Sequence, residues 1–325
     1  MVIGASLEPP EPGTATPDHL AKVPSVPEVP RVSWCRVADG SEIAAYDLGG
    51  DGEPLLLAHA TGFHARVLGE LARHLGSYHC YALDFRGHGR SRSAAGWHGE
   101  WAAFATDVLG VIEWLGLESP YGFGHSCGGA ALLLAEERAP GTFAQIYCYE
   151  PVVLPLLEPQ PPAFDHPLAL GAARRREIFA SKADALAKYS SKAPLSSIDP
   201  RVLRAYVEHG FESDPDGSVR LRCRPSDEAM VYANATGHFG YRDLPKVRCP
   251  VELACGALSS DFGEDDLAVL AQRLTSAGGS SRVTVLDALD HFGPMVRPDL
   301  VAASIVSSFG FPAQLQSGDG LPAGG

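Results

Sequence analysis

The chain has 325 residues, with 26 Lys+Arg against 39 Asp+Glu and a formal net charge of −13. That balance excludes nucleic-acid binding by phosphate neutralisation. A composition that is 45% hydrophobic and 20% charged excludes wholesale disorder, and without a run of about 18 apolar residues no membrane span is expected.

Residues 1–31 are dense in proline, with Glu, Ser and Thr between and no hydrophobic period; residues 312–325 (PAQLQSGDGLPAGG) have none either. Both ends read as flexible tails. Met1–Ser6 lacks the basic region of a secretory signal and runs straight into acid and proline. Cys35, Cys80, Cys127, Cys148, Cys223, Cys249 and Cys255 are odd in number, form no CxxC pair and lie mostly in apolar runs. This fits a reducing cytoplasm and core thiols better than a disulfide framework.

In chain order, Val32–Val37 and Glu42–Leu48 flank Asp39-Gly40 and read as a hairpin. Pro54–Ala60 and Tyr78–Asp84 are continuous apolar runs of the kind buried on both faces of a sheet. Ala65–Leu75 has a helical period, and Trp101, Phe104, Val108, Val111, Ile112 and Leu115 give a further helix one apolar stripe. Tyr121–His125 is strand-like, Cys127–Arg138 helical and Phe143–Tyr149 strand-like. The alternation breaks over 151–247, which is helical and polar. It resumes with strand Val251–Cys255, helix Asp266–Leu274, strand Arg282–Leu286 and helix Pro298–Phe309. The pattern predicts a mostly parallel α/β sheet at 32–150 and 248–311 carrying one insertion at 151–247.

Gly124-His125-Ser126-Cys127-Gly128 lies between a predicted strand and a predicted helix. In that context G-x-S-x-G describes a turn so tight that the flanking residues must be small, with the serine hydroxyl held at the carboxyl edge of the sheet. A serine hydroxyl needs a base. His291, in Leu289-Asp290-His291-Phe292-Gly293-Pro294 after the last predicted strand, is the candidate. His59, His64 and His88 are read as structural or substrate-contacting, and His125 as turned into packing. The imidazole needs an acid. Asp261, the first carboxylate after Gly256, is the choice, with Glu150 at the end of the preceding strand as its rival; Asp265 and Asp266 suit a helix start. The order Ser, acid, His is that of the α/β-hydrolase arrangement. His59-Ala60-Thr61-Gly62-Phe63 follows the first buried strand, and the amides of Thr61 and Cys127 are the candidate oxyanion donors. Cys127 itself is expected to turn into the helix rather than act as nucleophile. No metal-ligand set and no phosphate-binding loop is visible, so no cofactor is expected.

These segments, with Asp84-Phe85-Arg86-Gly87-His88-Gly89-Arg90-Ser91, resemble the α/β-hydrolase superfamily over about 32–311. The resemblance implies an eight-stranded, mostly parallel sheet flanked by helices, a helical cap inserted after strand six, and a mainly structural role for the Asp84–Ser91 loop. Two departures stand out. Ala60 occupies a place where many relatives have glycine, and Asp261 lies further past Gly256 than is common. Serine in the turn is unlike relatives that use an aspartate nucleophile.

Pro151–Leu157 suits a cap entrance, and Arg174-Arg175-Arg176 reads as a solvated face rather than an anion site, because adjacent residues cannot share one helix face. The expected function is hydrolysis of a carboxylic ester of a small, mostly apolar substrate through an acyl-enzyme. The alternatives are thioester or carbon–carbon hydrolysis or acyl transfer by the same triad, and a non-catalytic ligand-binding relative. The oligomeric state is open.

Overall fold

The computed structural model describes residue 30 and residues 32–310; the expected tails, residue 30 aside, lie outside the described residues. Strands β1 (Val32–Arg36) and β2 (Glu42–Gly49) form the expected hairpin. They are followed by β3 (Glu53–Ala58), α1 (Gly69–Arg73), β4 (Tyr78–Leu83), α2 (Ala102–Leu115), β5 (Tyr121–His125), α3 (Cys127–Arg138) and β6 (Gln145–Tyr149). The inserted segment contains α4 (Pro167–Ala173), β7 (Ile178–Phe179), α5 (Lys182–Ser190), α6 (Pro200–His209), β8 (Phe211–Ser213), β9 (Val219–Leu221), α7 (Pro225–Ala233) and α8 (Gly240–Asp243). The chain then returns through β10 (Val251–Gly256), α9 (Glu264–Thr275), β11 (Ser281–Leu286), α10 (Gly293–Val296) and α11 (Pro298–Phe309).

Eight strands form one sheet in the order β1-β2-β4-β3-β5-β6-β10-β11. β2 runs antiparallel to β1 and β4, and every pair from β4 to β11 is parallel. The apolar runs seen in the sequence become the central strands: Leu55, Leu56, Leu57, Ala58 and Phe123 are fully buried, packed between two apolar clusters, one on each face. On α2 the stripe Phe104, Val108, Val111 and Ile112 faces the sheet, and Gly116 at φ 63° ends the helix in the left-handed region that glycine enters without strain. Each such buried side chain contributes about 1.5–3 kcal/mol.

Two local expectations are refined. Residues 65–75 split into a 3-10 turn, Ala65–Leu68, and the short α1, because Gly69 interrupts the helical run. The insertion is not purely helical, since β7, β9 and β8 form a three-stranded antiparallel sheet. Its β8–β9 turn is Asp214-Pro215-Asp216-Gly217, with Gly217 at φ 88° and a hydrogen bond from Gly217 N to Asp214 O (3.0 Å). Hydrogen bonds that tie the insertion to the sheet domain include Asn234 Nδ2 to His98 O (3.0 Å), Trp101 Nε1 to Val231 O (2.8 Å) and Asp199 N to Met295 O (3.0 Å).

The register explains why one edge collects the chemistry. Ala58 pairs with Gly124, His125 with Tyr149, Tyr149 with Ala254, and Gly256 with Leu286. The residues that follow these ends are Thr61, Ser126, Glu150, Asp261 and His291, so all leave the sheet along its carboxyl edge.

Candidate active site

Ser126 sits between β5 and α3 at φ 56°, ψ −117°, a strained conformation for a residue with a side chain. Its neighbours permit this. A Cβ on Gly124 would lie 2.5 Å from the Cα of Gly129, and one on Gly128 would collide with the Ala58 carbonyl. Small residues at both places are therefore a packing requirement. The turn is held by Ser126 N donating to Tyr149 O (2.9 Å) and by Val152 N donating to Ser126 O (3.3 Å).

The close approach of α3 to the Ala58–Thr61 loop brings Cys127 against that loop. The Cys127 thiol donates to His59 O at 3.4 Å and lies beside Thr61. It is fully buried, and burial pushes it up to about 12, so it stays a thiol and packs as expected. Thr61 is 4% exposed. The Thr61 amide donates to no backbone carbonyl among the described residues, and its nearest protein partner is the Cys127 thiol. Ala60 fits without glycine's freedom: its carbonyl accepts from Phe63 N (3.2 Å), and Gly62 supplies the left-handed residue at φ 79°.

The histidine geometry departs from expectation at the acid. His291 Nδ1 is 2.6 Å from Glu150 Oε2 but 3.9 Å from Asp261 Oδ2. Glu150 is fully buried and receives two further donors, Gly256 N to Oε1 (3.0 Å) and Ser259 Oγ to Oε2 (2.9 Å). It too has a positive φ, 47°. The Asp261 side chain is 57% exposed, because the loop after β10 turns outward at a hydrogen bond from Ser259 N to Gly256 O (3.1 Å). Of the two carboxylates weighed for His291, Asp261 and its rival Glu150, Glu150 is the nearer: it leaves a central strand beside the ring, and Asp261 leaves a surface turn. A signal was present in the sequence. Glu150 is the one charged residue in IYCYEPVVLPLL, and a carboxylate leaving a fully buried strand needs partners. No pattern in the sequence marks Ser259, which bridges Glu150 (2.9 Å) and the Asp261 loop (Asp261 N to Ser259 Oγ, 3.2 Å).

His59, His64, His88 and His125 each hydrogen-bond to a backbone carbonyl. His59 donates from Nδ1 to Ala60 O (2.8 Å) and accepts at Nε2 from Phe85 N (3.0 Å), which fixes a neutral ring joining the loops after β3 and β4; burial holds it well below the usual imidazole range. His64 donates to Tyr206 O (3.1 Å) and His88 to Arg86 O (3.0 Å), and burial holds both at about 4. His125 is buried, but not away from the site. Its Nε2 donates to the His291 carbonyl (2.8 Å), and the two rings are 5.0 Å apart. In the Asp84–Ser91 loop, Asp84 accepts from Ala65 N, Arg90 N and the Tyr46 hydroxyl, each at 2.7 Å, while Arg86 pairs with buried Asp107 and with Asp39. Of the three consecutive arginines, only Arg175 turns inward.

A wall of aromatic rings borders the site. Phe292, next to His291, is 6.4 Å from Phe63, which is 5.2 Å from Tyr206 on α6. A strained serine and a buried carboxylate–imidazole pair at the carboxyl edge of this sheet are the arrangement of a hydrolase of the α/β type.

The sequence profile of the alpha/beta hydrolase family matches residues 55–304, and the chain belongs to that family. Lipase LipV of Mycobacterium tuberculosis is 29% identical over 273 residues, covering 79% of this chain and 93% of the relative. Among solved structures, E-2-(acetamidomethylene)succinate hydrolase superposes with a TM-score of 0.70 at 21% identity, covering 85% of this chain and 98% of the other. The peroxisomal alpha-beta-hydrolase Lpx1 of Saccharomyces cerevisiae gives 0.69 at 20% identity, covering 94% and 91%. An esterase of Mycobacterium tuberculosis gives 0.63 at 20%, covering 87% and 92%. The protein is a hydrolase, and no helix among the described residues is long and apolar enough to cross a membrane.

Proposed function

We propose that the protein is a serine esterase acting through Ser126, His291 and Glu150, with the amides of Thr61 and Cys127 as the oxyanion donors. The observation that carries this reading is the pairing of His291 Nδ1 with buried Glu150 (2.6 Å) beside a serine strained at φ 56°. With Nδ1 engaged, Nε2 is the nitrogen left to serve the serine. Ser126 Oγ attacks the ester carbonyl as His291 Nε2 takes its proton, and the negative charge of Glu150 stabilises the imidazolium. The carbonyl oxygen, now an oxyanion, is met by the two amides. Collapse expels the alcohol, which takes the proton from His291, and leaves the acyl group on Ser126. Water, deprotonated by the same imidazole, then releases the acid.

In this scheme Asp261 is an outlying charge and Ser259 positions Glu150. Segment 151–247 acts as the cap over the site. The aromatic wall of Phe63, Tyr206 and Phe292 favours a small, mostly apolar acyl chain, and the likeness to a protein named a lipase supports ester chemistry. The seven cysteines, buried and unpaired, support a reducing, cytoplasmic setting. The test is turnover of p-nitrophenyl butyrate by the native chain, by Ser126→Ala and by His291→Ala. Turnover by the native chain alone is expected; equal turnover by Ser126→Ala, or none by the native chain, rejects the reading.

A further inference from the structure

Arg175 follows the last residue of α4 and its cap residue Arg174, so it is free of the helix's facing rule. Arg174 remains exposed, and Arg176 pairs outside with Asp184 (3.0 Å) across the Phe179 ring. Arg175 instead turns inward to an ion pair with Glu228 of α7, with side-chain exposures of 22% and 6%. The pair lies on the candidate oxyanion loop. A Cβ on Gly62, next to Thr61, would be 2.6 Å from Glu228 Oε1 and 3.4 Å from Arg175 Nη1. Arg175 Nη2 also donates to the hydroxyls of Tyr206 (2.6 Å) and Tyr189 (3.4 Å). The guanidinium therefore ends the aromatic wall that starts at Phe292.

A guanidinium has five N–H donors. One at Nη1 goes to Glu228 and those of Nη2 to tyrosines; the Nε hydrogen and one at Nη1 have no protein acceptor among the described residues. A buried ion pair is a poor way to fasten a cap, since desolvating both charges cancels most of their attraction. A planar fork that keeps free donors at the edge of a reaction site is suited to a carboxylate. The alcohol leaves beside His291, from which it takes its proton. Arg175 lies at the other end of the Phe292–Phe63–Tyr206 row, against Gly62 of the candidate oxyanion loop.

We propose that Arg175 anchors a carboxylate at the far end of the acyl chain, which makes the substrates monoesters of short dicarboxylic acids; Glu228 is the internal counter-ion that the substrate carboxylate partly replaces. This rests on the esterase reading above.

The experiment compares mono-p-nitrophenyl adipate with p-nitrophenyl hexanoate, which differ in a terminal carboxylate against a methyl, with Ser126→Ala as the background. The native chain cleaves both, and Arg175→Met lowers the adipate-to-hexanoate ratio of kcat/KM at least tenfold. Glu228→Gln, which keeps the shape and removes the competing charge, raises that ratio at least threefold and decides the matter if Arg175→Met fails to fold. An unchanged ratio in Arg175→Met, a ratio unchanged or lowered in Glu228→Gln, or cleavage of hexanoate without adipate by the native chain overturns the proposal. Failure of the esterase reading is distinct, because the native chain then cleaves neither ester.

Discussion

Replacing Glu150 by Gln changes one oxygen to an amide nitrogen at constant shape, and the structure leaves no orientation that accommodates it. Oε2 accepts from His291 Nδ1 (2.6 Å) and Ser259 Oγ (2.9 Å), and Oε1 accepts from Gly256 N (3.0 Å). If the amide nitrogen takes the Oε1 place, it faces the Gly256 N–H, donor against donor in a buried site, at a cost of about 1–3 kcal/mol. If it takes the Oε2 place, His291 must present Nδ1 as an acceptor, which puts the proton on Nε2 and removes the base. In both cases the imidazolium loses its counter-charge. Errors of tautomer and charge in such triads cost roughly 10³–10⁴ in kcat, about 4–5.5 kcal/mol of barrier. Asp261, at 3.9 Å with its side chain 57% exposed, acts through water, where a Coulomb energy of about 1 kcal/mol is further screened. Asp261→Asn is expected to change kcat less than about threefold. Initial rates with p-nitrophenyl butyrate at pH 7.5, beside thermal denaturation to verify folding, measure both. A folded Glu150→Gln with native turnover, or an Asp261→Asn that alone loses it, refutes the assignment.

Ser259→Ala removes one of three donors to Glu150 and the acceptor for the Asp261 and Phe262 amides (3.2 and 3.4 Å). An expected fall in kcat of about tenfold, near 1.4 kcal/mol, with KM within twofold, marks it as positioning; a rise in KM alone contradicts that. Glu137 of α3 is buried, its Oε1 has no partner, and burial with Asp243 nearby raises it to about 9. A raised carboxyl favours the folded state below the unfolded value near 4.5, and stability is lost as pH rises from there to about 9. Glu137→Gln removes this dependence. Its advantage over the native chain in urea denaturation is expected to grow by a few kcal/mol between pH 4.5 and pH 8; a difference that does not vary with pH counts against the buried, neutral carboxyl.

The sheet was legible because its strands obey local rules. Pro54–Ala60 and Tyr78–Asp84 are apolar throughout, as strands covered on both faces must be, and the glycines around Ser126 mark a turn that no larger residue enters. Less legible were features set by distance in space. Position after Gly256 points to Asp261, yet the carboxylate nearer to His291 follows β6, and only the strand register places Tyr149 beside both His125 and Ala254. Arg175 looked like part of a solvated run because its separation from Arg174 and Arg176 depends on where α4 stops. His125 was expected to point away, and the backbone of His291 comes round to meet it. The β8–β9 hairpin was missed because its strands are three residues each, too short to show alternation.

The central claim is that Ser126 is the nucleophile. The most direct measurement is reaction with a fluorophosphonate probe at neutral pH, followed by intact mass and peptide sequencing of the adduct. One phosphonyl group on Ser126, absent in Ser126→Ala and strongly slowed in His291→Ala and Glu150→Gln, is the predicted result. An adduct on Cys127 or another residue, or no adduct on a chain that hydrolyses esters, contradicts it.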